Sequence, residues 1–502
     1  MADKAVGEKW QPLNGVWPQH MAAILATLCS MSGGIVMGWS TPAVPYLQEL
    51  HPLNDGTNAT TIPITDEEGS WLGSLSAAGA LLGAILYWIP LLYLARVISG
   101  IGVGGATTIT PVYNEEISEL RTRGKIGIYN EIMLCNGVLF AFYVGAYASY
   151  LCFHIVSCSV PVFFFCAFVW MPESPIYLLM KERTEDAEKS LRWLREAGDK
   201  PDKRITEELE KMKLFVEHSL NDSGAKQKVP LLKTIRSALP NLSYSSPLTK
   251  ASVIVFGLQI LQQLSGSNAV LYYTVTLFKD AGSSLSPYDS SIIVGAIQVF
   301  SACVSSRIVD LTGRRPLLLI SEGSATLFPA LLGLYFYWKE SGDVSGFTWI
   351  PLVIVNLFIL TFEVGFGPLP SLLMAELSPA ESKGFITGLG LCSNWILVFI
   401  ITKTYTNMVA GIGLPMTYGL YAIFSGIGMV FIYFLVPETK GKTREEIQHE
   451  LKFGKSKHDN KIKNERSSYT HTTSALANYA TEAGNSFVEL NAGKPTLFST
   501  AI

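Results

Sequence analysis

Apolar runs of about twenty residues recur along this chain between short clusters of lysine and arginine, and that alternation limits it to folds that cross a bilayer as helices. By length and hydropathy, spans are expected near residues 19–39, 71–90, 91–113, 126–148 and 150–171. A polar stretch over 181–249 separates them from a second set near 251–277, 289–309, 316–337, 349–375, 385–409 and 414–436. The expected fold class is an all-α polytopic membrane protein with the bilayer as its immediate partner. Only 16% of the 502 residues are charged and the formal net charge is −3. Soluble domains carry about 25% charged residues, and nothing here offers the basic face a nucleic acid needs. The seven cysteines all fall inside apolar runs and read as packing thiols.

Basic clusters mark cytoplasmic segments. They occur at 121–125, 181–204, 313–316 and 440–457, whereas no Lys or Arg stands between Lys9 and Arg96. The segment 40–69 then lies outside, where Asn58-Ala59-Thr60 forms a glycosylation acceptor pattern. A parity conflict follows. If 40–69 is outside and 121–125 inside, an odd number of crossings must separate them, yet 71–113 has room for two helices and no basic turn.

An internal repeat locates the gap. The stretches "PVYNEEISELRTRG" (111–124) and "PSLLMAELSPAESKG" (370–384) each place a glutamate, Glu116 or Glu376, seven residues before a basic residue, Arg123 or Lys383. "MPESP" with Glu173 and "VPETKG" with Glu438 close the two halves. The second half also has "VDLTGRRP" (309–316), with Asp310, Arg314 and Arg315, and the first half has no counterpart. These residues are expected to form a cytoplasmic latch in which helix-end acids pair with arginines of neighbouring helices and hold the halves together. The boundaries expected are a cytoplasmic N-terminus (1–18), an incomplete N-terminal half (19–171), a linker (172–249), a C-terminal half (250–438) and a tail (439–502) without packed structure. Apolar residues at helical spacing in 181–218 read as amphipathic helices on the inner face.

Together with "QQLSGSNAVLYY" (262–273) and "GFGPLP" (365–370), these motifs resemble those of the sugar porters of the major facilitator superfamily, and within it the insect facilitated trehalose and hexose transporters. The resemblance covers residues 20 to 450 and implies two six-helix halves with a sugar site at the midplane. It also implies that the third helix and its preceding loop are absent, leaving about 11 spans, because "SWLGSLSAAGALLGAI" (70–85) looks like a second helix and 91–113 like a fourth.

A neutral polyol needs carboxamides for its hydroxyls and aromatic faces for its ring. The 251–277 run carries Gln259, Gln262, Gln263 and Asn268, which must face water or partners, since an unpaired amide in hydrocarbon costs about 4–8 kcal/mol on the harshest scale. The resemblance assigns Gln262, Gln263, Asn268, Gln298, Glu363, Asn394 and Trp395 to the substrate site, and Tyr272 and Tyr273 to an outer gate. It makes Gly365, Gly367, Pro368 and Pro370 a hinge, because glycine and proline loosen the helical ladder. Three positions depart from the family pattern. Ser371 replaces a tryptophan, Glu131 replaces a sugar-binding glutamine, and Ser40 stands where proton-coupled relatives have a carboxylate. The function expected is facilitated diffusion by alternating access, at the plasma membrane with both termini cytoplasmic. Proton-coupled symport and a non-transporting sensor or inactive isoform are the alternatives. Neither catalytic residues nor a cofactor or metal is implied, and no enzyme activity is expected.

Overall fold

The computed structural model describes residues 17–43, 89–119, 122–197, 202–222, 247–378, 383–442, 446–447 and 450–451. Asn58, the expected span 71–90 up to residue 88, and the tail beyond 451 lie outside the described residues. The N-terminal half contains α1 (Trp17–Gly38), α2 (Ile89–Ile117), α3 (Arg123–Tyr147) and α4 (Tyr150–Phe168). The linker folds into α5 (Pro175–Met180), α6 (Thr184–Leu194) and α7 (Lys203–Asp222). The C-terminal half contains α8 (Pro247–Leu264), α9 (Ser267–Tyr272), α10 (Thr274–Ala281), α11 (Pro287–Thr312), α12 (Arg314–Ser341), α13 (Ile350–Gly365), α14 (Leu369–Leu377) and α15 (Lys383–Leu435). Six helical stretches among the described residues are long and apolar enough to span a bilayer, the last of them, Ile386–Leu435, long enough for two.

One of the expected spans is not a simple rod, and two others meet at a sharp turn. The 251–277 run breaks at Gly266, whose φ of 78° is left-handed and whose missing side chain leaves room for the ring of Tyr421, 2.6 Å from where a Cβ would stand. The 385–409 and 414–436 spans are joined by a sharp turn at Gly413 (φ 79°), where Pro415 restarts the helix.

In the N-terminal half α1 and α3 run parallel, with His20 beside Tyr129 and Ser30 bonded to Asn130. Nearer their C-terminal ends Gly34 and Gly137 let the backbones touch, and a methyl on either would overlap the facing carbonyl. α2 is antiparallel to α1. The Arg96 guanidinium near its start lies 4.7 Å over the Trp39 ring at the end of α1. Beyond its other end, Glu119 Oε1 accepts a hydrogen bond from Gln19 near the start of α1. Residues 43 and 89 therefore lie at the same end of the helix pair, and one further span between them would have to finish on the opposite side.

The linker helices pack on one another through Leu178, Leu179, Leu191, Ile205 and Leu209. They dock on the N-terminal half through Arg195, which donates to the Ile117 carbonyl at 3.0 Å and to Glu208 at 2.7 Å.

Candidate substrate site

The break at Gly266 puts the amides where two elements can share them. Gln259 and Gln262 on α8 both accept hydrogen bonds from Asn394 Nδ2 of α15, at 2.6 and 3.0 Å. Gln262 Nε2 donates at 2.6 Å to the carbonyl of Phe366, inside the gap between α13 and α14. Asn268, across the break, donates to Gln263 at 2.6 Å. Part of the amide capacity is thus spent on joining α8, α15 and the hinge, while Gln262, Asn268, Asn394 and Trp395 remain only half-buried. A carboxamide held by one bond and still accessible keeps a donor or acceptor for a hydroxyl.

Gln298 of α11 donates to Glu363 of α13 at 2.9 Å, and Glu363 and Glu131 meet across the two halves. Ser371 is exposed on α14, so no ring closes that side, and Ser40 is buried at the end of α1. A cavity of about 330 Å³ lies elsewhere, at the base of the linker between Trp170, Arg183 and Trp193.

The expected hinge is a real break: α13 stops at Gly365 and α14 starts at Leu369, with Pro370 in its first turn. Gly365 is required for close packing, since a Cβ there would stand 2.5 Å from that of Ser321. The gate tyrosines are buried. Tyr273 stacks on Tyr405 at 4.8 Å and donates to the Thr402 carbonyl, while Thr41 of the first half donates to the carbonyls of Leu271 and Tyr272 at 2.7 and 3.0 Å. Tyr147, at the same end of the first half, donates to Asp289 at 2.7 Å. At that end the halves are in contact.

The charge clusters differ in part from the expected latch. Arg314 pairs with Glu376 at 3.2 Å, Thr439 donates to Glu376 at 2.6 Å, and Glu438 accepts from the backbone N–H groups of Arg314 and Arg315 at 3.0 and 3.1 Å. Burial alone would raise the Glu438 pKa, but backbone donors from Lys440, Arg314, Arg315 and Thr439 outweigh it and hold the carboxyl below its usual range. All of these groups belong to the second half, so the described contacts brace that half internally rather than tying it to the first. In the first half Glu119 lies 3.5 Å from Arg195, and Glu173 pairs with Arg183 at 3.7 Å. Glu116 is half-buried one turn earlier, and the side chains of Arg123, Asp310 and Lys383 lie outside the described residues. The spacing pattern found the right helix end but could not name Glu119, because its partner stands far downstream in the linker.

Comparison with known proteins decides the family. The model for the sugar (and other) transporter family matches residues 72–451, most of the chain. The chain belongs to that family. The transporter is 31% identical to the facilitated trehalose transporter Tret1 of Bombyx mori over 471 positions, covering 88% of each chain. It is also 31% identical to Tret1 of Apis mellifera ligustica, over 86% of this chain and 87% of that one. Among solved structures it resembles the inward-open xylose transporter XylE of E. coli, with a TM-score of 0.65 at 20% identity, covering 86% of this chain and 99% of that one. It is therefore a multi-pass sugar transporter with the major facilitator fold.

Proposed function

We propose that this transporter moves a neutral disaccharide or hexose, with trehalose the first candidate, down its gradient by alternating access across the plasma membrane, with both termini cytoplasmic. The observation that carries the reading is the accessible amides of Gln262, Asn268 and Asn394, of which Gln262 donates to the Phe366 carbonyl in the break between α13 and α14 while Asn394 donates to Gln262 and Asn268 to Gln263. A sugar hydroxyl that replaces one of these bonds acts directly on the hinge, which is how binding energy can drive closure. Gln263, Gln298, Glu363, Glu131 and Trp395 complete the site, Tyr272 and Tyr273 the gate. Trehalose enters from the names of the relatives, and the carboxamide donors and acceptors of the lining suit its hydroxyls. The reading is of a carrier and not of an enzyme.

The chain lacks the third helix of its family and the basic loop before it. Three observations support this. Residues 43 and 89 lie at one end of the α1–α2 pair, which a lone span between them does not allow. The match to the Bombyx relative extends over 471 positions, while 88% of 502 residues is about 442, which leaves about 29 positions without a counterpart here. That is close to the length of one span and a short loop. The packing of the halves also differs. In the second half α12 lies along the end of α15, with Gly333 against Pro415 and Thr326 against Gly426. The repeat makes α4 the counterpart of that α15 segment, and among the described residues nothing equivalent to α12 packs on α4. Phe163, Phe165 and Trp170 are exposed there, and Gly102, Gly104 and Gly105 of α2 face open space.

The same uncovered faces favour a second reading, a non-transporting isoform. Uptake of radiolabelled trehalose and glucose by this chain, beside one with the helix and loop restored, tests both. Sugar-specific, saturable uptake by the restored form is expected. No uptake by either form with any sugar would overturn the carrier reading, and equal uptake by both would overturn the isoform reading.

A further inference from the structure

Where the two halves meet along α3 and α11, a pair of carboxylates faces across the boundary. Glu131 belongs to α3 of the first half and Glu363 to α13 of the second, and their oxygens, with the Cys135 thiol, all lie within 4.8 Å of one another. Glu363 is only 5% exposed. Glu131 is half-buried; two negative charges this close, one of them buried, repel more strongly than they would in solvent, and a single shared proton removes that repulsion.

A separate observation points to the same ligand. Gln298 is 3% exposed and donates its Nε2–H to Glu363, but its Oε1 has no hydrogen-bond partner among the described residues. A buried acceptor without a donor is costly. The two ends of a carboxamide exchange by rotation about its last bond, so a protonated Glu363 finds in Gln298 the acceptor that an ionised one leaves unused. The other oxygen of Glu363 lies against Gly367 in the gap between α13 and α14, so whatever changes its charge acts at the hinge.

Among the described residues the titratable groups facing the pair are thiols, Cys135 on α3 and Cys303 on α11. Several other ionisable groups on the helices packed around α3 and α13 have other described neighbours. Arg96 of α2 covers Trp39, His154 of α4 bonds Trp39, and His20 of α1 bonds Tyr129. Cys29 of α1 is next to Ser30, which bonds Asn130. Glu322 of α12 lies against Gly428 of α15, and on α10 Lys279 precedes Asp280, whose carbonyl meets Lys339.

We propose that Glu131 and Glu363 form one proton-binding site shared between the two halves, and that the bound proton holds the halves together in the conformation described here. Loss of the proton pushes α3 and α13 apart at the hinge, which makes the conformational cycle sensitive to pH. The transport arm of the test rests on the sugar-carrier reading; the spectroscopic arm does not.

The full-length protein in lipid nanodiscs is titrated while infrared difference spectra follow the C=O stretch of protonated carboxyl groups. The expected result is a titrating component that is lost in both Glu131→Gln and Glu363→Gln and retained in Glu322→Gln. Uptake into proteoliposomes is followed over the same pH range. The wild type is expected to vary along a one-proton titration, by at most about tenfold per pH unit, and Glu131→Gln to lose that variation. A component that survives Glu131→Gln, or an unchanged pH profile in that variant, overturns the proposal. Absence of uptake in every form counts against the carrier reading alone, and the spectra still decide the proton site.

Discussion

Asn394 is the residue on which most of the amide network converges. Its Nδ2 serves Gln259 and Gln262 together, so Asn394→Ala leaves two acceptors unserved, one of them on the fully buried Gln259. An orphaned buried acceptor costs about 1–3 kcal/mol of stability, and separately a hydrogen bond to the sugar lost with the amide, at about 1.4 kcal/mol, is tenfold in affinity. The expected outcome is a rise of about tenfold or more in the uptake KM for sugar, with a lower unfolding temperature, both read on the purified variant. Glu438 makes a prediction about pH. Its folded pKa is depressed, so its contribution is present above the unfolded carboxylate range and is lost as pH falls through the folded value. Glu438→Gln is therefore expected to lower the thermal stability of the second half at neutral pH and to converge on the wild type in acid, as followed by melting curves across pH. The motifs "DLTGRR" and "PETKG" made this cluster legible, since both partners stand in recognisable patterns. Glu119 and Arg195 were not legible, because their pairing depends on where the linker helices dock.

At the scale of elements, hydropathy located the described spans to within a few residues, for a bilayer sets their length directly. It placed the turn at Gly413 in the gap between 409 and 414 but could not locate the break at Gly266, one glycine among forty-three, which only its φ of 78° separates from helical ones. The α1–α3 crossing gives an element-scale test. Gly34 and Gly137 face each other's helix backbone with no room for a side chain, so Gly137→Val forces the helices apart. Overpacking of this kind typically costs about 1–3 kcal/mol, and more where backbone is the obstacle. The expected outcome is loss of the monodisperse peak in size-exclusion chromatography of detergent-solubilised protein, whereas Gly102→Ala, which meets nothing within 4 Å, keeps it.

At the scale of the whole molecule, the halves touch through Thr41 with Leu271 and Tyr272, through Tyr147 with Asp289, and along α3 and α11. Tyr147→Phe removes one of the polar ties between the halves at the end where Thr41 meets Leu271 and Tyr272. It is expected to open that end more often, read as faster reaction of a cysteine placed at Leu285 with a membrane-impermeant thiol reagent. The sequence by itself determined the membrane class, the duplicated halves, the place of the amide-rich run and the register of the second half's charge cluster. Each of these follows from local composition or from fixed spacing along one helix. Tertiary structure alone decided that α1 and α3 run parallel, that Glu119 meets Arg195 of the linker, and that Glu131 and Glu363 face each other from different halves. Those facts depend on which faces of distant helices are brought together, and the hydropathy of a segment carries its length and depth in the bilayer but not its rotation or its neighbour.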